Sequence, residues 1–188
     1  MKKNISRENL IIVDGHNLIF DFFKAGKLSR EKIDYIKDKL IADLSLYKSQ
    51  KNYDVVIVFD ARNSENPKRS IQTIDDVKVI YSRRNESADA VIEELVGVET
   101  GYPDMEPAVY SRIFVVTSDY LQQKVVFRKN VYRKSCREFH IELKDLKREV
   151  REKIAGFRKE SDRKFFTLEK RLSIKTRKKL SELRKKHN

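Results

Sequence analysis

Four short, mostly aliphatic runs constrain the fold of this chain more than any other feature of its sequence. Because successive strand residues point to opposite faces, runs with so few polar interruptions are typical of strands covered on both faces. Segments with apolar residues at helical spacing separate the runs. This alternation predicts βαβ units with a parallel central sheet, and so an α/β fold. The runs are LIIV at 10–13, VVIVF at 55–59, VKVIY at 77–81 and IFVV at 113–116.

The segments between these runs predict helices, loops and one further strand. Helices are expected over residues 33–46 with Ser29 as N-cap, over 88–96 with Gly97 as the stop, and over 121–127. The polar stretch ARNSENPKRS at 61–70 predicts a loop, because proline disfavours the interior of helices and strands. A short last strand is expected at 131–132.

Aspartates follow three of the predicted strands. Asp14 and Asp60 come directly after aliphatic runs, and Asp119 follows Thr117 and Ser118. The carboxyl ends of parallel strands meet at one edge of a sheet, where ligands gather in such folds. Carboxylates brought together there repel one another, and a divalent cation offsets the repulsion. A single aspartate after a strand is also an ordinary turn former or helix N-cap, but three at the same kind of boundary favour a shared site.

A second acidic group lies in the segment NESADAVIEELVG at residues 85–97. On a helix Glu86, Asp89 and Glu93 share one face, with Glu86 and Asp89 in the first turn. Acidic residues are also favoured in a first turn by the helix dipole alone, so an ordinary amphipathic helix explains them as well. Glu93 lies deeper in the helix and is expected to be structural.

The chemistry of these side chains points to magnesium or manganese. All are hard oxygen donors, without the cysteine or histidine ligands that select zinc. A Mg²⁺ or Mn²⁺ ion at such a rim would activate water for attack on a phosphodiester. Asn17 and Ser118 are predicted to support the site by holding a metal-bound water, a carboxylate or a phosphate oxygen.

Charge is concentrated at the end of the chain. The formal net charge is +13 and the sequence pI about 9.7, which favours an anionic partner, nucleic acid first. Residues 144–188 hold 18 Lys and Arg against 7 Asp and Glu. We therefore expect a domain at 1–143 and a basic helical extension at 144–188, with Gly156 and Ser173 as possible helix breaks. RNA docking is favoured for the extension over a solvated appendage or an oligomer-forming helix.

The remaining composition bears on compartment. With Cys136 as the one cysteine, no intrachain disulfide can form. No segment resembles a signal peptide, and no apolar run is long enough to span a bilayer. We expect a cytoplasmic protein that does not contact membranes.

Taken in order, these motifs resemble one known family. IVDGHN at residues 12–17 resembles the DGYN-type motif that opens NYN domains, which are PIN-like nucleases; His16 stands where the motif name places Tyr. The resemblance covers residues 10–139. Four further segments are similar to those of the YacP-like branch: FDA at 59–61, YSRRNESADAVIE at 81–93, VVTSDYLQQ at 115–123 and YRKSCREF at 132–139.

The resemblance implies a Rossmann-like, three-layer α/β/α PIN/NYN domain with a central parallel sheet and Mg²⁺- or Mn²⁺-dependent endoribonuclease activity. It implies that the metal is held by Asp14, Asp60, Asp89 and Asp119, with Asn17, Glu86 and Ser118 in support. It also implies cleavage of mRNA in the context of the ribosome.

Basic residues flank the predicted site and are expected to hold RNA phosphates, although any one of them is equally explained as a solvated surface charge. They are Arg62, Lys68, Arg69, Arg83, Arg84, Arg128, Arg133 and Arg137.

Three other functions are weighed against an endoribonuclease of single-stranded RNA. The first is a non-catalytic RNA- or ribosome-binding module on the same fold. A phosphoacceptor signalling domain is disfavoured, because IVDGHN lacks the adjacent acidic pair that such domains show after their first strand. The third is a nuclease of DNA, since the residues alone do not distinguish cleavage of RNA from cleavage of DNA.

Overall fold

The computed structural model describes residues 9–23, 29–61, 65–99, 110–118, 130–171, 176 and 182–183, without the side chains of 22, 23, 30 and 162–171. Asp119, Arg62, Arg128, the predicted helix at 121–127 and the possible break at Ser173 lie outside these residues. The described part of the chain contains no helix long and apolar enough to cross a membrane.

Six strands and four helices form the described structure. The strands are β1 (Asn9–Asp14), β2 (Tyr53–Phe59), β3 (Ser70–Ile74), β4 (Val77–Tyr81), β5 (Arg112–Val116) and β6 (Val131–Lys134). The helices are α1 (Gly15–Phe23), α2 (Arg30–Lys51), α3 (Ala88–Glu99) and α4 (Cys136–Arg171). All five predicted strands are confirmed, and Ser29 is the N-cap residue of α2 as predicted.

The strands form one sheet in the order β3-β4-β2-β1-β5-β6. All neighbours pair in parallel except β3, which runs antiparallel to β4. Central strand β1 is buried on both faces: Ile11, Ile12 and Val13 have no exposed surface. The predicted α/β fold is confirmed, with helices on both sides of the sheet.

The two faces of the sheet are covered by different helices. Ile12 and Val58 belong to a core that contains Val91 and Ile92 of α3. On the opposite face, Tyr47 of α2 packs its ring against Phe139 of α4, with the ring centroids 5.3 Å apart. These contacts make three layers, α/β/α, as the family resemblance implied.

The chain divides into two compact units, Met1–Lys144 and Asp145–Asn188. The first contains the sheet. In the second, every residue from 151 to 161 is helical and exposed. Gly156 lies within this helix, so the predicted break there is wrong. A Cβ atom at Gly156 would meet no other described atom within 4 Å, and a solvated glycine lowers helix propensity without ending a helix.

Strand β3 was not predicted, and its first residue, Ser70, was assigned to the preceding loop. Ile71 to Ile74 are exposed, so the segment lacks the buried run that marks the other strands. Its hairpin to β4 turns through Asp75 and Asp76, both with positive φ (47° and 65°), as in a type I′ turn. As an edge strand it is held by pairing with β4.

Helix α3 continues past its predicted stop. Gly97 is buried inside the helix, which ends at Glu99. The stop signal failed because a glycine in a packed helix costs only about 1 kcal/mol relative to alanine.

Helix α1 follows β1 without a loop; no helix was predicted at 15–23, although a helix N-cap was one of the alternatives for Asp14. Gly15 makes this junction possible. A Cβ atom at this position would overlap Cε1 and Cδ1 of Phe59, the last residue of β2, and the Phe59 side chain is fully buried. The backbone of α1 therefore sits against the Phe59 ring at a distance that only glycine permits.

We expect Gly15→Ala to destabilise the protein through this overlap, by about 1–3 kcal/mol, as for other overpacked sites. Phe59→Val removes all of the ring atoms that the new methyl group would meet, because valine, unlike leucine, has no δ carbon in place of Cδ1. The double variant should be more stable than the sum of the two single effects predicts, as measured by urea denaturation in a double-mutant cycle. Additive effects would show that the Phe59 ring is not the reason why position 15 requires glycine.

Candidate active site

Three adjacent strand ends meet at one edge of the sheet. Strand β1 lies between β2 and β5, and the three run parallel. Asp14, the last residue of β1, is in register with Val58, and Asp60 follows two residues later. Val13 is in register with Val116, so Thr117 emerges beside Asp14. Asp119, two residues further, lies outside the described residues.

Asp14 is buried at this edge and anchored by Asn17. The backbone N–H of Asn17 donates to Oδ1 of Asp14 at 3.0 Å, and its Nδ2 donates to Oδ2 at 2.8 Å. Asp14 is thus the N-cap of α1, which was the ordinary alternative considered for a lone aspartate. It is also only 3% exposed, an unusual environment for a carboxylate.

The Asn17 side chain joins two strand ends. Besides Asp14, its Nδ2 donates to Oγ1 of Thr117 at 3.2 Å. Both donors of the amide group are therefore used, which leaves the amide oxygen as the atom for any further contact. Asn17 was predicted to support the site, and the structure places it directly on Asp14.

His16 makes a matching contact to the third strand end. Its Nδ1 accepts a hydrogen bond from the backbone N–H of Asp60 at 3.0 Å. Its ring stacks on Phe20 and meets Phe59 edge-on, with centroid distances of 6.2 and 5.8 Å. Burial lowers the pKa of His16, and Lys37 lowers it further, against an opposing effect of Asp60. The neutral ring fits its role as an acceptor.

Thr117 was not predicted as a site residue, whereas its neighbour Ser118 was. Thr117 has no exposed surface and reaches Asn17, while Ser118 is exposed and hydrogen-bonds the thiol of Cys136. Burial of Cys136 raises the pKa of its thiol to about 11. Strand alternation gives no signal that separates the two hydroxyls, because Val116, which has the parity of Ser118, is as fully buried as Val115, which has the parity of Thr117.

Glu86 is held in an ion-pair cluster. Arg69 donates to both of its carboxylate oxygens, at 2.8 and 2.6 Å, and also binds Glu94. The backbone N–H of Arg83 donates to Glu86 at 3.2 Å. The Arg69 hydrogen bonds lower the pKa of Glu86 to about 2. Glu86 was predicted to support a metal and Arg69 to bind RNA. In the structure the two side chains bind each other instead, across 17 positions of the sequence.

Asp89 and Glu93 are both exposed on α3. The N-cap of this helix is Ser87, whose Oγ accepts from the backbone N–H of Ala90 at 3.2 Å. Among the described residues, no group of three or more His, Cys, Asp or Glu side chains is arranged to hold a metal ion. The predicted set of four acids includes Asp119, so it stays a prediction.

Some of the predicted RNA-binding residues within the described structure are exposed, and others already contact groups of the protein. Lys68, Arg84 and Arg137 are exposed. Arg83 is also exposed, but its Nε forms an ion pair with Oε1 of Glu86 at 3.3 Å, and Arg69 is bound to both Glu86 and Glu94. Arg133 is exposed at the end of β6, and its Nη2 lies 3.5 Å from the carbonyl oxygen of Thr117. Arg133 therefore borders the edge that carries Asp14.

The motif YRKSCREF proves to contain the start of α4. The Ser135 Oγ accepts from the backbone N–H of Glu138 at 3.2 Å, and Glu138 Oε2 accepts from the backbone N–H of Ser135 at 2.9 Å. This reciprocal pair is a capping box. It lowers the pKa of Glu138, the Ser135 hydroxyl contributing most.

We expect Glu86 to stabilise the fold in a pH-dependent way. Its folded pKa of about 2 lies below the ordinary 4.5, so its contribution is complete above pH 4.5 and is lost as the pH falls toward 2. Glu86→Gln should therefore lower the melting temperature at pH 7, and the difference from the parent should shrink by pH 3. Glu93→Gln, at an exposed position of the next helix, is the control. A difference for Glu86→Gln that is constant with pH would contradict the ion-pair role.

Comparisons with known proteins agree with this architecture. The family model of the YacP-like NYN domain matches residues 11–185, which includes most of the basic C-terminal segment. The curated protein "Uncharacterized protein YacP" of Bacillus subtilis (strain 168) is 30% identical over 146 residues, 78% of this chain and 81% of that protein.

Solved structures of the same relative are also similar. The crystal structure of Rae1 (YacP) from Bacillus subtilis is 27% identical and aligns with a TM-score of 0.64 over 94% of each chain. A second crystal structure, of a mutant form of that protein, is 28% identical and aligns with a TM-score of 0.61 over 79% of this chain and 82% of its own. The chain belongs to the YacP-like NYN domain family and has its PIN-like nuclease fold.

Proposed function

We propose that this protein is a divalent-metal-dependent endoribonuclease that cleaves single-stranded RNA. The observation that carries the proposal is the adjacency of β2, β1 and β5, because their parallel ends bring Asp60 and Asp14 to one edge, with Asp119 two residues beyond Thr117. Family membership supports it, since NYN domains are nuclease-like.

The residues present fit magnesium or manganese. Asp14 and Asp60 offer only oxygen, the donor that these hard cations prefer. The Asp14 carboxylate is buried and already oriented, because each of its oxygens accepts a hydrogen bond from Asn17. Two carboxylates are few for such a site, so the proposal requires Asp119 as a third, with Asp89 as a further contributor.

The side chains at this edge have separate tasks in the proposed reaction. A bound divalent cation supplies a water of lowered pKa and neutralises charge on the phosphate. Asp14 and Asp60 hold the cation, and Asn17 fixes the direction of the Asp14 carboxylate through its two hydrogen bonds. Arg133, at the border of the edge, binds an RNA phosphate beside the scissile one.

The basic C-terminal segment is proposed to bind RNA as well, with ribosomal RNA as one target and mRNA in the ribosome as the substrate. Residues 144–188 carry 18 Lys and Arg against 7 Asp and Glu. The described helix at 151–161 is exposed along its whole length, including Phe157, which is 72% exposed. Exposed cations bind phosphates, and exposed aromatic rings stack on unpaired bases.

The test is cleavage of a circular single-stranded RNA, which only an endonuclease can open, during titration with Mn²⁺. We expect Asp14→Asn, Asp60→Asn and Asp119→Asn each to lose more activity than the roughly 10–100-fold typical of losing an outer-shell partner. Asp75→Asn is the matched control. Its hairpin joins β3 to the start of β4, at the end of the sheet away from Asp14, and Asn tolerates its positive φ.

Four outcomes would count against the proposal. Cleavage without a divalent cation would show that the reaction does not require a metal. Full activity of both Asp14→Asn and Asp119→Asn would show that these aspartates do not form the active site. Tight RNA binding by the parent without any product, even on a translated message, would favour a non-catalytic RNA-binding module. Equal cleavage of single-stranded DNA would contradict the restriction to RNA.

A further inference from the structure

We infer that His16 is a positioning residue that sets the direction of the Asp60 carboxylate through the Asp60 backbone. This inference rests on the proposed function, because the Asp60 carboxylate that His16 orients is one of the ligands of the proposed cation site. It starts from the hydrogen bond that Nδ1 of His16 accepts from the Asp60 N–H at 3.0 Å.

The Asp60 N–H is a strand donor at a point where the neighbouring strand has ended. On the β4 side, the Phe59 carbonyl oxygen accepts from the N–H of Ser82 at 3.0 Å, and the Ala61 N–H donates to Oγ of Ser82 at 2.8 Å. Peptide groups alternate in direction along a strand, so the Asp60 N–H points the other way, toward β1. Strand β1 has ended at Asp14 and turned into α1. The imidazole of His16 takes the place of the missing carbonyl acceptor.

The ring that makes this bond is itself fixed. The His16 ring stacks on the Phe20 ring and meets the Phe59 ring edge-on. Its backbone belongs to the first turn of α1, which Gly15 holds against Phe59. A rigid acceptor therefore faces the Asp60 amide from a turn that also carries Asn17 and follows Asp14 directly.

The orientation of Asp60 needs such an anchor. Asp60 is the first residue after β2, where pairing with β1 has ended, although Ser82 still contacts the flanking peptide groups on the β4 side. Metal ligands act only when held within about 0.5 Å of their productive position by supporting contacts. His16 fixes the peptide that precedes the Asp60 side chain. Because His16 lies two residues after Asp14, it links the directions of the two carboxylates.

Three substitutions separate the acceptor from the size of the side chain. His16→Asn places its amide oxygen near the position of Nδ1, and so keeps the acceptor. His16→Gln has the same chemical groups but carries the oxygen one bond further out. His16→Leu keeps apolar volume without an acceptor. Asn and Gln both lose the aromatic ring, so comparing them removes the effect of lost packing.

Two measurements on the full chain report the hydrogen bond between His16 and the Asp60 amide and the affinity of the site for a metal ion. Amide hydrogen exchange of Asp60, by NMR without metal, reports the hydrogen bond. Loss of free Mn²⁺ signal in electron paramagnetic resonance reports metal affinity without requiring RNA cleavage. Circular dichroism verifies that each variant is folded.

We expect His16→Gln and His16→Leu to exchange the Asp60 amide about fivefold faster or more, as for a lost hydrogen bond. Their Mn²⁺ affinity should fall roughly 10–100-fold, as for loss of an outer-shell partner. His16→Asn should stay close to the parent in both measurements. If Asn and Gln behave alike, or if His16→Leu binds Mn²⁺ as the parent does, the inference is wrong.

The outcomes distinguish this inference from the proposed function. A parent protein that binds no Mn²⁺ would overturn both. A parent that binds Mn²⁺ but leaves RNA intact, with Asn and Gln differing as expected, would overturn the nuclease proposal and support the role of His16.

Discussion

The first turn of α1 is the constraint on which the candidate site depends. Asn17 joins Asp14 to Thr117, and His16 joins the same turn to Asp60, so three consecutive residues from Gly15 onward connect the ends of β1, β2 and β5. Sheet pairing alone brings these ends together without orienting the side chains beyond them. The turn supplies that orientation, and it requires glycine at its start because the Phe59 ring leaves no room for a Cβ atom.

Burial gives the Asp14 contact its importance. A carboxylate that is 3% exposed has lost most of its hydration, and it remains acceptable only where donors replace the water. Asn17 provides two of these donors. The same contact that caps α1 thus keeps an anionic oxygen at the edge of the sheet, so the structural and the proposed catalytic roles of Asp14 are compatible. Glu86 differs, because Arg69 binds both of its oxygens.

The sequence predicted the features that leave a local pattern. Buried strands were recognisable from their aliphatic runs, and the acids at their ends from position alone. The edge strand β3 was missed because it is largely exposed, and α1 was missed because its nine residues begin without a loop after β1. Contacts between distant residues, such as Arg69 with Glu86 and Asn17 with Thr117, depend on the order of the strands, which a single sequence does not encode in any local pattern.

The central claim is that Asp14, Asp60 and Asp119 share one divalent cation. Anomalous diffraction from crystals grown with Mn²⁺ tests it most directly. We predict an anomalous peak at the carboxyl edge of β1, with oxygens of Asp14 and at least one other of these aspartates about 2.1 Å away, near the distance that hard cations of this size require. Well-ordered aspartates with no peak between them, or carboxylates that point to separate surfaces, would contradict the claim.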